Sequence, residues 1–108
     1  MEGKTLMIAI CTTTSSRAEA VAIARACVEE GLAACVHLDE IDSFYLWEGK
    51  MNEDREYRLL LKASDNAYDR IEARIRELHS YDEPAIYAFP VTRAGVSYSS
   101  WVEANSAG

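Results

Sequence analysis

Tyr45-Leu46-Trp47-Glu48-Gly49-Lys50 is the stretch that decides the fold. Residues two apart on a strand share a face, so Tyr45 and Trp47 put their bulk on one side. Gly49 then turns the chain between two charges. That turn joins two long runs into one hairpin, the first from Leu32 to Trp47 and the second from about Asn52 to Lys62. In the first run Ala34, Val36 and Leu38 share one face, and Cys35, His37 and Asp39 share the other. Asp39-Glu40 and Asp42-Ser43 disturb this alternation, which predicts a bent strand bulged near residues 40–42. So much apolar surface at a hairpin tip demands cover. Either the tip folds back on its own domain or another chain covers it.

Outward toward the N-terminus, residues 5–11 (TLMIAIC) read as a strand buried on both faces, broken by residues 12–16. Ser16-Arg17-Ala18-Glu19 has the capping-box form and starts a helix that runs through Glu30 and stops at Gly31. Val21, Ala24 and Val28 are expected to face the core, with Arg25 and Glu29 solvated. Outward toward the C-terminus, Asp65 or Asn66 is expected to cap a second helix. Tyr68, Ile71, Ile75 and Leu78 form its apolar stripe, and Glu72 pairs with Arg76 on the wet side. Residues 79–84 read as a loop and residues 85–91 as a last strand. Pro90 lacks an N–H and places that strand at an edge or a bulge. Residues 96–105 make a short helix carrying Tyr98 and Trp101, and the tail is expected to fray.

The order βαββαβ, with right-handed crossovers, implies an α+β fold. It is a ferredoxin-like sandwich with a long β2–β3 hairpin and an extra C-terminal helix. One sheet face carries the two helices. The other stays open, with Leu59, Leu61, Cys35 and the aromatics expected to need cover.

The 108 residues fit one domain, residues 1–108, and 49% apolar content marks it as globular. A net charge of −7 repels phosphate backbones and anionic membranes, so neither nucleic acid nor a membrane is an expected partner. Three cysteines without a CxxC argue against a disulfide framework and for a reducing cytoplasm. No apolar run approaches a membrane span, and the opening residues do not form a signal peptide.

Catalytic motifs are absent: there is no GxSxG, Gly-rich phosphate loop or HExxH, and no enzyme is expected. Cys11, His37 and His79 are the soft candidate metal ligands, with no local chelate among those three. Cys11 and Cys35 lie in strands where cysteines are inert apolar residues. Asp39, Glu40 and Asp42 form an acidic cluster that reads as a solvated kink. Glu56 and Lys62, six apart on one strand face, either do acid–base work or hold a small ligand in a cleft, or form a cross-strand salt bridge.

Five segments occur together in one order: residues 31–36 (GLAACV), 45–50 (YLWEGK), 56–62, 79–84 (HSYDEP) and 98–101 (YSSW). With them the chain resembles the CutA family of divalent-cation tolerance proteins, from about Leu6 to Ala104. The resemblance implies a tight homotrimer laid out like the PII signalling proteins. Its three sheets would face inward, and each hairpin would reach onto a neighbour, burying Tyr45 and Trp47. It implies a link to copper and divalent-metal tolerance, with copper or another divalent cation as ligand at Cys11 and His79 and no required cofactor. It also implies clefts between subunits, lined by Glu56, Lys62, Tyr81 and Trp101, in which a small molecule would bind. Leu78, Ser80 and Ala85 depart from the family pattern, which favours a second histidine, a proline and a glutamate there.

Overall fold

The computed structural model of the chain describes residues 6–106. The expected start of the first strand at Thr5 lies outside them. β1 (Met7–Thr14) is central, and its burial on both faces matches its apolar run. It continues through Thr14 rather than stopping at Cys11. The three threonines that looked like a break are β-branched and fit a strand.

α1 (Arg17–Glu29) begins at Ser16, whose hydroxyl accepts the Glu19 N–H at 3.2 Å. Only this half of the capping box forms. The Glu19 side chain reaches instead to the loop after the second helix, accepting the Ser80 N–H at 2.6 Å and its hydroxyl at 3.0 Å. Gly31, at φ +75°, ends the helix. The Gly31 N–H bonds the Val28 carbonyl and the Leu32 N–H bonds the Cys27 carbonyl, the Schellman pattern. The buried face is Ala20, Ile23 and Cys27, with Ala24 packed partly against the core. The expected Val21–Val28 face is therefore one residue out of phase, and Val28 is exposed.

β2 (Cys35–Trp47) and β3 (Lys50–Ser64) pair without interruption from Cys35↔Lys62 to Trp47↔Lys50. The expected bulge is absent, because the acids that suggested it find partners on the opposite strand. Asp39 meets Arg58 at 2.8 Å, while Asp42 and Glu40 meet Arg55 at 3.0 and 3.3 Å. The hydrogen bond from Arg58 holds the Asp39 carboxyl below its usual range. Glu48 and Gly49 make a two-residue turn with φ of 52° and 78°, as a type I′ hairpin requires.

A 3-10 turn (Asp65–Ala67) leads into α2 (Tyr68–Leu78). Neither Asp65 nor Asn66 is its N-cap. Ala67 holds that position and there is no side-chain cap. Ile71 and Ile75 are fully buried, Tyr68 and Leu78 flank them, and Glu72 pairs with Arg76 at 3.0 Å. β4 (Ile86–Pro90) lies at an edge, where the missing N–H of Pro90 costs least. α3 (Val96–Ala104) closes the chain. The residues after it do not fray as far as Ser106. That hydroxyl is buried, accepts the Ser64 N–H at 2.8 Å and donates to the Val102 carbonyl at 2.6 Å.

The sheet order is β2-β3-β1-β4 with every neighbouring pair antiparallel. α1 and α2 cover one face, where Ile8, Ile10, Leu59 and Leu61 meet Ile23, Ile71 and Ile75. Each such side chain contributes about 1.5–3 kcal/mol by burial. Leu59 and Leu61 thus belong to this core and not to the open face, which carries Leu60 instead. α3 covers only one end of the open face, through Val102 against Met7 and Ala34. β1 stops opposite Tyr57, so the hairpin beyond that rung extends alone. The molecule measures 51 × 25 × 21 Å and has a radius of gyration of 14.7 Å, against about 13 Å for a compact chain of this length.

Candidate functional site

Three regions carry the candidate residues. The first is the uncovered middle of the open sheet face. Cys11, His37, Asp39, Arg58, Leu60, Tyr87 and Phe89 line a shallow cleft of about 590 Å3 there. Cys11 is buried and lies beside Tyr87, whose phenol is pushed up first by its hydrogen bond to that thiol. Next to this cleft, Cys35 Sγ lies 3.7 Å from His37 Nε2, and Lys62 Nζ bonds His37 Nδ1. Lys62 can only donate, so Nδ1 accepts and Nε2 carries the proton toward the sulfur. Sequence reasoning missed this Cys35–His37 pair. The signal was present, because i,i+2 residues on a strand share a face. The third cysteine, Cys27, lies between α1 and the sheet, where burial pushes its thiol up to about 11.

The second region surrounds His79 at the end of α2. Its Nε2 donates to the Thr13 carbonyl at 2.7 Å, and its Nδ1 accepts the Tyr81 N–H at 3.1 Å. Glu19 Oε2 stands 3.3 Å from Nδ1, and the ring has no solvent exposure. Both nitrogens are in use, and the ring pins the loop to β1. Ser80 supplies the N–H that Glu19 accepts. Among the described residues no group of three His, Cys, Asp or Glu side chains could hold a metal ion.

The third region is a cleft of about 670 Å3 where the free hairpin meets the loop before β4. Its walls include Tyr45, Trp47, Phe44 and Tyr81, with Ser43, Thr13 and Ala85 between them. Glu56 stands in it at 9% exposure. Ser43 donates to Glu56 Oε1 at 2.7 Å and Tyr81 donates its phenol to Oε2 at 2.9 Å. Burial, then the hydrogen bond to Glu56, push the Tyr81 phenol up to about 12. Tyr45 likewise donates to Asp54, which raises its phenol.

The four residues expected to line one cleft thus fall in three places within a single chain. Glu56 and Tyr81 are joined directly. Lys62 sits six residues along β3 beside His37, and Trp101 stacks on Tyr98 in α3 with ring centroids 5.9 Å apart. The salt bridge between Glu56 and Lys62 does not form, because each has a different partner.

The hairpin tip does not fold back on the domain. Phe44, Leu46, Trp47 and Met51 are 63, 74, 61 and 64% exposed. No helix among the described residues is long and apolar enough to cross a membrane.

The family described as CutA1 divalent ion tolerance protein matches residues 8–105. A divalent-cation tolerance protein CutA from Pyrococcus horikoshii is 36% identical over 96 residues, covering 89% of this chain and 94% of the relative. The structure of the divalent cation tolerance protein Cut A1 from Thermus thermophilus superposes with a TM-score of 0.90 at 35% identity. It covers 94% of this chain and 99% of that one. That of a periplasmic divalent cation tolerance protein CutA from Archaeoglobus fulgidus gives 0.87 at 32% identity, covering 90% and 95%.

Proposed function

The chain belongs to the CutA1 divalent ion tolerance family, and from that premise we propose that it acts in divalent-cation tolerance as a homotrimer rather than as an enzyme. The observation that carries the trimer is the arm. Trp47, Leu46, Phe44 and Met51 stand in solvent on a two-stranded hairpin. A hairpin without a covered face is marginal alone. A second copy of the same arm and sheet offers apolar cover to both. Closed cyclic assembly would use the uncovered part of the open face, where Leu60, Tyr87 and Phe89 lie. Three unpaired cysteines fit a reducing cytoplasm. Light scattering on the purified protein should give three times the chain mass, and a stable folded monomer would overturn the proposal.

Metal binding at Cys11 and His79 is proposed to be weak. A cation there would take a nitrogen of His79 from Thr13 or Tyr81. Leaving such a buried group unpaired costs about 1–3 kcal/mol. Calorimetry with copper(II), zinc and cadmium on the reduced protein should show low-affinity heat that falls in a Cys11→Ser, His79→Ala variant. Tight binding, or heat unchanged by the variant, would refute this.

A second reading is a small-molecule sensor, favoured by the Glu56–Tyr81 cleft. Its volume suits a small ligand, and a fixed carboxylate is set among aromatic walls.

A further inference from the structure

We infer that the cleft between the hairpin arm and the loop before β4 is a socket between copies of this chain, in which Lys50 of a neighbouring copy answers the carboxylates of Glu56, Asp82 and Glu83. This rests on the homotrimer reading above and names the charged contact that closes it.

Tyr45 and Trp47 line the cleft, so a neighbouring copy that buries them also takes the cleft out of water. Glu56, Asp82 and Glu83 line it too, and no lysine or arginine does. Glu56 is already nine-tenths buried, and its oxygens accept only hydroxyl protons, from Ser43 and Tyr81. Among the described residues neither Asp82 nor Glu83 has an ion-pair partner. Apolar cover alone would strand these carboxylates without water or counter-charge, which is strongly unfavourable. The copy that covers them therefore has to bring a cation. The cleft in the middle of the open face has no such need, because its Asp39 is held by Arg58 of the same chain.

Few cations are free for this. Arg25, Arg55, Arg58, Arg74 and Arg76 are held in ion pairs. Lys62 bonds His37, and Arg70 reaches the Asn66 carbonyl. Among the described residues this leaves Arg17, Lys50 and Arg93. Lys50 stands opposite Trp47 on the last rung of the hairpin. Opposed residues share a face of the ladder, and Tyr45, two residues from Trp47, shares it as well. One face of the arm thus carries the two aromatics that need cover and the cation that the cleft needs. Within three positions of Lys50 lie the exposed Trp47 and Met51, whereas Arg93 has only Val96 and Arg17 has no exposed large apolar residue. A space of about 670 Å3 admits an aromatic and a lysine side chain together. Glu48, in the turn beyond the rung, stays outside. The receiving cleft and the inserted rung are different patches of one chain, so the contact runs head to tail, and repeats of it close into a ring.

Light scattering on dilution, with circular dichroism to check the fold, tests the charge. Lys50→Glu should raise the dissociation constant of the assembly at least about tenfold. A double Asp82→Lys, Glu83→Lys variant, altered only in an exposed loop, should do the same, and combining it with Lys50→Glu should restore assembly. Cross-linking tests the place and does not depend on Lys50→Glu. Lys50→Cys and Asp82→Cys chains, refolded together and oxidised with diamide, should give a covalent dimer of unlike chains on a non-reducing denaturing gel, and neither should alone. A folded monomer of the unmodified protein overturns the homotrimer and the socket together. A trimer that tolerates Lys50→Glu, is not rescued by the reversed acids, or gives no cross-link between unlike chains overturns the socket and leaves the trimer standing.

Discussion

At the scale of the residue, Glu56 and Tyr81 carry the most consequence. Their hydrogen bond joins the free part of the hairpin to the loop before β4. Burial and the bond to Glu56 raise the phenol from its ordinary value of 10.0 to about 12. The folded state therefore holds its proton where the unfolded chain has lost it. The contribution to stability is whole below pH 10 and disappears as pH rises from 10 toward 12. Phenolate absorbance during an alkaline titration should show one tyrosine ionising well after the others. That late step should vanish in Tyr81→Phe; a late step that persists would show that another tyrosine carries it. The residue types of this site were legible, since Glu56 and Tyr81 were both candidates. Their pairing with each other, and of Lys62 with His37, was not. Strand parity gives the face a side chain points to, but not which neighbour along that face it chooses.

At the scale of the element, the hairpin is the decisive piece. Its turn holds Glu48 at φ 52° and Gly49 at φ 78°. A side chain in this region costs about 1–2 kcal/mol, and asparagine tolerates it best. Glu48→Asn should therefore raise thermal stability by up to about 1 kcal/mol. Nothing lies within 4 Å of a Cβ built on Gly49, so Gly49→Ala should lower stability by conformational strain alone, by about 1 kcal/mol. Melting curves on both variants test this, and a neutral Gly49→Ala would show that the turn relaxes to another type. The turn was readable because glycine between two strand-forming runs has few alternatives. The straightness of the arm was not, because the acids at residues 39–42 take their partners from Arg55 and Arg58 on the facing strand. The half-formed capping box has the same cause: Glu19 has a better use sixty-one residues away.

At the scale of the molecule, the extended arm and the open sheet face present one problem with one solution. Trp47 is 61% exposed in the single chain. If the chain worked alone, Trp47→Ala would change stability by no more than about 0.5 kcal/mol. In a trimer that buries it, the same truncation should cost about 3–5 kcal/mol and shift the assembly toward smaller species on dilution. Denaturant unfolding together with light scattering at several concentrations separates the two cases. The α+β order, the helix-covered face and the edge position of Pro90 all follow from periodicity and turn chemistry. They match the structure because each depends on backbone geometry within a short segment.

The sequence by itself determined that a hairpin turns at Gly49, that Ile71 and Ile75 face a core, and that the elements follow the order βαββαβ. Such features are set by neighbours a few positions away. Only the tertiary structure decided that Glu56 meets Tyr81, that both nitrogens of His79 are occupied, that Leu59 and Leu61 face the helices and that Ser106 is anchored beneath Ser64. The physical reason is range. A buried polar group must find its hydrogen-bond partner wherever packing brings one, and for Glu56 with Tyr81, His79 with Thr13 and Ser106 with Ser64 that partner lies far along the chain.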